Sequence, residues 1–189
     1  IENSPSLPYQ VNQTFIITPV KSGFILIHQQ WAHERILYEK YKKMIEETSM
    51  TSQRLMFPST LELNTGDSLI LLSILDDLKI LGFDIEQFGN NTFVIHAIST
   101  DIASGNERKL IEKFIEDYKN NNTPDRQILK YNIAKSMALF NAIPIGKKLT
   151  IDEMKYFIEE LFASPHSNDS LHYTKTFIQF DIEALLKKF

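Results

Sequence analysis

An apolar run near the start of the chain leads directly into a segment with the character of a helix. Phe24-Ile25-Leu26-Ile27 has the β-branched and aromatic side chains typical of a buried strand. The following residues read His28-Gln29-Gln30-Trp31-Ala32-His33-Glu34-Arg35-Ile36-Leu37-Tyr38-Glu39, and their apolar side chains fall roughly on one side of a helix. The sequence therefore predicts a strand over residues 24–29 and a helix over residues 31–47.

The rest of the chain alternates between strand and helix patterns. Strands are predicted over residues 11–18, 55–63, 83–88, 92–98 and 174–180, and helices from residue 64, over 106–118, over 125–141, from residue 150 and over 182–187. Pro19-Val20-Lys21-Ser22-Gly23 is predicted to join the first two strands as a hairpin. Thr150-Ile151-Asp152-Glu153 has the spacing of a capping box. This order of elements indicates an α+β fold.

Composition places the chain among globular domains. At 189 residues, with 43% apolar and 23% charged residues, it can bury one sizeable core or two small ones. It has no Cys, which excludes disulfides, thiolate metal ligands and a thiol nucleophile. No apolar run approaches the roughly 20 residues needed to cross a bilayer, and no signal peptide is evident, so we expect a cytoplasmic protein.

The net charge and the first residues bear on the partners of the chain. A net charge of -4 is a poor fit to a domain that holds DNA by itself, since phosphate contacts supply most of the non-specific affinity. The sequence begins without Met on Glu2-Asn3-Ser4-Pro5-Ser6, which has the composition of a linker. We therefore expect a fragment of a longer protein that contacts DNA only weakly through this part.

The segment that begins at His28 resembles a signature of the MutL family of DNA mismatch-repair proteins. That signature is usually written Asp-Gln-His-Ala-x-x-Glu-Arg-x-x-Tyr-Glu, and this chain keeps Gln29, Glu34, Arg35, Tyr38 and Glu39. His28 stands in place of the Asp, Gln30 in place of the His and Trp31 in place of the Ala. The resemblance implies the helix of a MutL carboxy-terminal domain, with part of its metal site replaced.

The resemblance also implies a domain organisation. In that family a dimerisation subdomain is built from the first and last segments of the domain, and a smaller external or regulatory subdomain is inserted between them. Carried over to this chain, residues 1–52 and 123–189 would form the dimerisation subdomain and residues 53–122 the insert. The opening Gln10-Val11-Asn12-Gln13-Thr14-Phe15-Ile16-Ile17 is similar to the family's first strand. The resemblance therefore implies a homodimer.

Two further family signatures carry metal ligands. The first is a helix with Ala-Cys-x-x-Ala, and Ile133-Ala134-Lys135-Ser136-Met137 is similar to it, with Ala134 in place of the Cys. The second, Cys-Pro-His-Gly-Arg-Pro, precedes the last strand, and Ser164-Pro165-His166-Ser167-Asn168-Asp169 keeps only its Pro and His. Glu34 and His166 alone survive, whereas a catalytic cation needs several convergent ligands. The resemblance therefore implies the branch of the family that does not nick DNA.

Two other interpretations stay open from the sequence. The chain could be a metal-dependent nicking endonuclease with variant ligands at His28, Glu34, Glu39 and His166. The simpler explanation of these side chains is that they are solvated groups on the surface of a helix or at a junction. The chain could also be an α+β binding domain unrelated to repair, in which case the match at the junction is accidental.

One short motif suggests a binding partner. Gln53-Arg54-Leu55-Met56-Phe57-Pro58 fits the pattern Gln-x-Leu-(Leu/Met/Ile)-x-Pro with which members of the family bind the sliding clamp. The fixed positions are occupied by Gln53, Leu55, Met56 and Pro58. The alternative is that the apolar residues of this segment form a strand that packs on the core.

The family resemblance implies further partners. These are a second copy of the chain, a mismatch-recognition protein and other repair factors. It implies no cofactor in this domain, and it places ATP binding in an amino-terminal domain outside this sequence.

Overall fold

The structure is a computed structural model that describes residues 7–47, 51–103, 105–120 and 125–189. Its elements are β1 Tyr9–Val11, β2 Phe15–Val20, β3 Gly23–His28, α1 Gln29–Glu47, β4 Ser52–Glu62, α2 Thr65–Ile80, β5 Asp84–Gln87, β6 Thr92–Ser99, α3 Glu107–Asn120, α4 Arg126–Asn141, α5 Ile151–Ala163, β7 Phe177–Asp181 and α6 Ile182–Leu186. The predicted α+β fold is confirmed. The expected linker at residues 2–6 lies outside the described residues. The sequence also predicts an internal boundary at Lys119-Asn120-Asn121-Asn122-Thr123-Pro124, of which residues 121–124 lie outside the described residues.

The chain divides into two compact units. We call Ile1–Glu39 with Ala142–Phe189 the outer unit and Lys40–Asn141 the inner unit. The boundary falls within α1 on one side and directly after α4 on the other. The family resemblance assigns α4 and all of α1 to the dimerisation subdomain instead, and that functional division stays a prediction.

The outer unit is built on a four-stranded antiparallel sheet with the order β1-β2-β3-β7. Side chains alternate between its two faces, so that Ile16, Ile25 and Ile27 point inward and are at most 7% exposed. They share a core with Ala32, Leu149, Met154, Phe157 and Leu161. One face of the sheet is thus covered by side chains from α1 and α5.

The start of α5 confirms the predicted capping box. Thr150 N donates to Glu153 Oε2 at 2.7 Å, and Glu153 N donates to Thr150 Oγ1 at 3.2 Å. These two bonds satisfy backbone donors that the first turn of a helix leaves unpaired. They orient the helix so that Met154, Phe157 and Leu161 are buried.

The first and last predicted strands differ from the observed ones. The pattern over residues 11–18 predicts one strand, whereas a turn separates β1 from β2, with φ angles of 49° at Asn12 and 51° at Gln13. Asn tolerates this left-handed conformation. The residues on either side favour a strand, so the sequence pattern predicts one continuous strand and no turn. The last strand begins at Phe177 and not at residue 174, because Ser170 N donates to Thr174 O at 2.8 Å in a tight turn.

The inner unit holds a three-stranded antiparallel sheet with the order β4-β6-β5, together with α2, α3 and α4. The sequence predicts an apolar stripe on α2 from the helical spacing of Leu71, Ile74, Leu75 and Leu78. Leu71, Ile74 and Leu78 are each 0% exposed, and Leu75 is half-buried. The strands and α3 add Leu61, Phe93, Ile95, Leu110, Ile111 and Phe114 to the core. Within the described ranges, no helix is long and apolar enough to cross a membrane.

Candidate functional site

The first residue of α1 fixes the junction between strand and helix. Gln29 is completely buried, and its Nε2 donates to the carbonyl oxygen of Lys147 at 3.1 Å. Gln10 donates through Nε2 to Gln29 Oε1 and to the same carbonyl, and its own Oε1 accepts from Leu149 N at 2.9 Å. Gln29, which the signature retains, is therefore a structural amide that joins the junction to the loop before α5.

A buried carboxylate lies little more than one turn further along. Glu34 is 1% exposed, and each of its oxygens faces a side-chain nitrogen. Gln30 Nε2 donates to Oε1 at 3.1 Å, and His172 Nε2 lies 2.7 Å from Oε2. Burying an unpaired carboxylate costs on the order of several kcal/mol. The two contacts offset this cost, so Glu34 is not one of the solvated helix carboxylates that the sequence allows.

Two stacked aromatic rings lie at the end of β3. The rings of His28 and Trp31 are parallel within 15°, with centroids 4.0 Å apart, and the Trp31 ring centroid is 5.7 Å from that of His172. Trp31 N also donates to His28 Nδ1 at 3.3 Å. Burial lowers the pKa of His28, and the nearby charge of His172 lowers it further against an opposing backbone hydrogen bond. The stacked imidazole therefore favours its neutral form.

Glu39, the last residue of the signature, pairs within its own helix. Arg35 Nη1 lies 2.8 Å from Glu39 Oε1, and the two side chains are 11% and 10% exposed. Arg35 also donates through Nε to the carbonyl oxygen of Asp169 and through Nη2 to that of Ser170 at 3.4 Å. Glu39 thus orients Arg35 toward the segment that precedes β7.

The structure brings together only some of the residues singled out by the sequence. His28, Gln30 and Glu34 lie together, but the imidazole beside Glu34 belongs to His172. His166 is exposed in a turn with a φ of 51°. Ser164 ends α5, with its N donating to Leu161 O at 3.1 Å. Ala134 is fully buried in α4 of the inner unit.

His172 is a residue of the site that the sequence motifs do not indicate. The family signature Cys-Pro-His-Gly-Arg-Pro precedes the last strand, and β7 begins at Phe177. Ser170-Leu171-His172-Tyr173-Thr174-Lys175 is separated from β7 by Thr176 alone and has its His in the third position, as the signature does. The Pro-His pair at residues 165–166 favours the earlier segment, whereas the spacing to the last strand favours this one.

The candidate clamp motif lies on an edge strand that bulges. β4 pairs with β6, and its register shifts from Arg54 opposite Ala97 to Ser59 opposite Ile95, so five steps along β4 (54 to 59) match two along β6 (97 to 95). Such extra residues cannot join the ladder and are displaced from it. At the bulge Met56 is 87% exposed and Phe57 is 80% exposed. This contradicts, at these two positions, the alternative that the segment is a strand packed on the core.

The other motif residues are placed less uniformly. Leu55 is half-buried and Pro58 is exposed. Gln53 Nε2 donates to the carbonyl oxygen of Ile102 at 3.0 Å. The amide of Gln53 is thus engaged inside the unit, while the apolar residues after Leu55 face solvent.

The outward face of the four-stranded sheet is apolar. One row of registered partners crosses all four strands, with Tyr9 opposite Ile17, Ile17 opposite Leu26 and Leu26 opposite Ile178. Tyr9 is 53% and Ile178 50% exposed, and the two central residues are half-buried. Beside this row, the rings of Phe24 and Phe180 stack with centroids 4.9 Å apart. Contiguous exposed apolar surface of this kind marks interaction sites.

Comparisons with known proteins agree on one family. The family model described as MutL C terminal dimerisation domain matches residues 9–149. The DNA mismatch repair protein MutL of Prosthecochloris aestuarii is 33% identical over 186 residues, which cover 98% of this chain and 30% of that protein. The protein of the same name from Chlorobium phaeovibrioides is 36% identical over 156 residues, which cover 82% of this chain and 25% of that protein. The chain thus spans less than a third of the length of these relatives.

The fold and the junction define an α+β domain. Its four-stranded antiparallel sheet combines strands from the beginning and the end of the chain, and β3 leads directly into a helix that carries a buried, hydrogen-bonded carboxylate. The chain belongs to the family of MutL C-terminal dimerisation domains. The likeness at the junction is therefore not accidental, and the interpretation as a domain unrelated to repair is wrong.

The metal site of nicking family members does not fit the residues at this junction. Such a site needs several donors directed at one point. In the part of the chain that the structure describes, no group of three or more His, Cys, Asp and Glu side chains is placed to hold a metal ion. Both oxygens of Glu34 already face the nitrogens of Gln30 and His172, and the ring of Trp31 lies against His28.

Proposed function

We propose that this domain joins two copies of a MutL protein through the outward face of its four-stranded sheet. The observation that carries the proposal is the apolar row of Tyr9, Ile17, Leu26 and Ile178, which crosses every strand of that sheet. The description of the matching family as a dimerisation domain supports the same function.

A sheet face is well suited to symmetric pairing. A twofold interface uses the same patch on both partners, so each row would meet its own counterpart. Packed sheets lie about 10 Å apart, which brings the side chains of both faces into contact. A stable interface typically buries about 800 Å² and involves about 20–30 residues on each partner, more than the four residues of the row. Phe24 and Phe180, which flank the row, would therefore take part as well.

The oligomeric mass tests this proposal. Light scattering of the isolated domain at micromolar concentration should give twice the chain mass of 21.9 kDa. A mass that stays at 21.9 kDa under these conditions would contradict it.

We also infer that the domain organises repair without cutting DNA. Support comes from the junction itself, where Gln30 and His172 engage the carboxylate of Glu34 and Trp31 stacks on His28. The domain should therefore not nick supercoiled plasmid above background in millimolar manganese, with or without zinc. Nicking that is lost on changing Glu34 to Ala would establish the alternative, an endonuclease with variant ligands.

A sliding clamp is the second partner that we propose. Met56 and Phe57 are displaced from an edge strand and exposed, which suits an extended anchor whose side chains fill an apolar pocket on another protein. Leu55 and Pro58 flank this pair, and Gln53 would hold the bulge through Ile102. A short anchor buries little area, so binding should be weak and should matter when DNA holds both partners together.

The remaining partners rest on the family likeness. The relatives carry the name DNA mismatch repair protein, and we propose that this domain serves the same process beside a mismatch-recognition protein and other repair factors. Direct contact with DNA through this domain would be weak, in keeping with its net charge of -4. ATP would be bound by an amino-terminal domain, and a cytoplasmic location stays a prediction.

A further inference from the structure

We propose that the contact between Glu34 and His172 is a metal-independent clasp that fastens the segment before β7 to helix α1. Residues 164–176 connect α5 to β7, and their regular structure consists of one isolated bridge between Asp169 and Lys175. A segment of this kind loses much conformational entropy on ordering, so other bonds must hold it. The clasp is one of these bonds.

The segment is first folded on itself around Ser170. Ser170 N donates to Thr174 O at 2.8 Å, and Ser170 Oγ accepts from His172 N and Thr174 N, each at 3.2 Å. Ser170 is only 4% exposed, so water competes little for these bonds. The backbone of His172 is therefore held in place before its side chain contacts the helix.

Two side chains of α1 then hold this turn. Glu34 Oε2 lies 2.7 Å from His172 Nε2, and Arg35 donates to the carbonyl oxygens of Asp169 and Ser170. The Glu34 side chain is 2% exposed, whereas that of His172 is 43% exposed. Removing the partner of a buried charge costs far more than breaking an exposed pair. The helix thus supplies a fixed, desolvated anchor, and the segment supplies the group that satisfies it.

The direct bond and a bridging metal ion are mutually exclusive arrangements of these two side chains. Zinc lies about 2.0–2.1 Å from an imidazole nitrogen and about 2.0–2.2 Å from a carboxylate oxygen, in tetrahedral geometry, which sets two such ligand atoms roughly 3.3 Å apart. His172 Nε2 and Glu34 Oε2 are 2.7 Å apart. A bridging ion would have to separate them, so the direct bond and the metal are alternatives.

The clasped segment leads directly into the sheet. Thr176 N donates to Asn168 O at 3.1 Å, and His28 N donates to Thr176 O at 2.8 Å. The next residues, Ile27 and Phe177, form the first registered pair between β3 and β7. Holding this segment therefore determines where β7 joins the sheet.

Hydrogen exchange of the full chain tests the clasp. His172→Ala removes the imidazole, and His166→Ala is the matched control because His166 is exposed in the same segment. We expect the amides of Ser170, Thr174 and Thr176 to exchange about tenfold faster in His172→Ala, equivalent to roughly 1.4 kcal/mol, and at the wild-type rate in His166→Ala. His172→Gln, whose amide can donate to Glu34, should restore most of the protection. Wild-type exchange in His172→Ala would overturn the proposal.

The wild-type chain provides a second measurement. Trp31 is its single Trp and contacts the rings of His28 and His172, so its fluorescence reports on the site. Neither zinc chloride nor EDTA should change that fluorescence or the exchange rates. A saturable change on adding zinc, or a loss of protection in EDTA, would show that an ion holds the segment.

Discussion

Gly23 lies so close to the backbone of Phe180 that a Cβ added at position 23 would be 2.0 Å from the Phe180 carbonyl oxygen. The two residues lie on neighbouring strands, where Gly23 is registered with Asp181 and Phe24 with Phe180. A backbone atom cannot rotate aside as a flexible side chain can. The absence of a side chain at Gly23 is thus what lets β3 and β7 approach each other at this end of the sheet.

Replacing this glycine should weaken the outer unit. We expect Gly23→Ala to lower the free energy of unfolding by about 1–3 kcal/mol or more, as overpacking does, measured by chemical denaturation. Gly66→Ala is the control, since its Cβ would lie 3.4 Å from Asn64 Oδ1 and Ala favours a helix over Gly by about 1 kcal/mol. Equal stability of Gly23→Ala and the wild type would contradict this account of the strand approach.

Acid should weaken the folded state through His28. Burial holds the pKa of this imidazole below its ordinary value of 6.5, so the unfolded chain binds the proton more readily than the folded one. The contribution of neutral His28 to the free energy of unfolding is therefore fully present above pH 6.5. It is lost as the pH falls through the lower pKa of the folded state. Between about pH 7.5 and 5.5 the melting temperature should fall less in His28→Gln than in the wild type. The wild-type pH dependence in His28→Gln would refute the prediction.

A charge in the apolar row should separate the proposed dimer. Ile178→Glu places a carboxylate at a position that is 50% exposed in the single chain, and burying it in an interface would cost on the order of several kcal/mol. Sedimentation should then give the single-chain mass of 21.9 kDa. Leu69→Glu is the matched control, because Leu69 is 63% exposed on α2 of the inner unit. The row is not the interface if both variants dissociate or if neither does.

Removing the exposed side chains of the β4 bulge should abolish binding to the sliding clamp without lowering the stability of the domain. Met56→Ala with Phe57→Ala removes side chains that are 87% and 80% exposed, so the free energy of unfolding should change by less than about 0.5 kcal/mol for each. Binding to a purified sliding clamp, measured by surface plasmon resonance, should be lost. Phe88→Ala, at a position 73% exposed in the same unit, should leave binding intact. Persistent binding by the double variant would show that the bulge is not the anchor.

Gln53 should behave differently from the two exposed residues. Its Nε2 donates to Ile102 O at 3.0 Å within the inner unit. Gln53→Ala should therefore lower the free energy of unfolding by about 0.5–1.5 kcal/mol, the usual contribution of one hydrogen bond. A loss of clamp binding without any loss of stability would instead assign Gln53 to the interface.

Elements that depend on local pattern could be predicted from the sequence. The stripe of Leu71, Ile74 and Leu78 and the pair of Thr150 with Glu153 each involve residues three or four positions apart, and both are found as predicted. The backbone of a helix places such residues together whatever the rest of the chain does. Periodicity alone therefore identifies these parts of the fold.

The site depends on contacts that no local pattern records. His172 contacts Glu34 although 138 positions separate them in the sequence, and this contact depends on where the chain turns before β7. The exposure of Met56 likewise depends on how β4 registers with β6. The signature at residues 28–39 placed Glu34 on the right helix, but its partner could be identified only once the start of β7 was known.

The position of β7 along the chain also has a consequence during synthesis. β3 ends at residue 28 and its neighbour β7 begins at residue 177, with the whole inner unit between them. At about 5–20 residues per second, the ribosome spends roughly 7–30 s on the intervening stretch. Once residue 141 has been added, Lys40–Asn141 is complete, while β3 still lacks its neighbour β7 and presents an unpaired edge beside apolar side chains. The nascent chain therefore passes through a stage with a complete inner unit and an open sheet, in which the free edge of β3 is available for pairing with another chain.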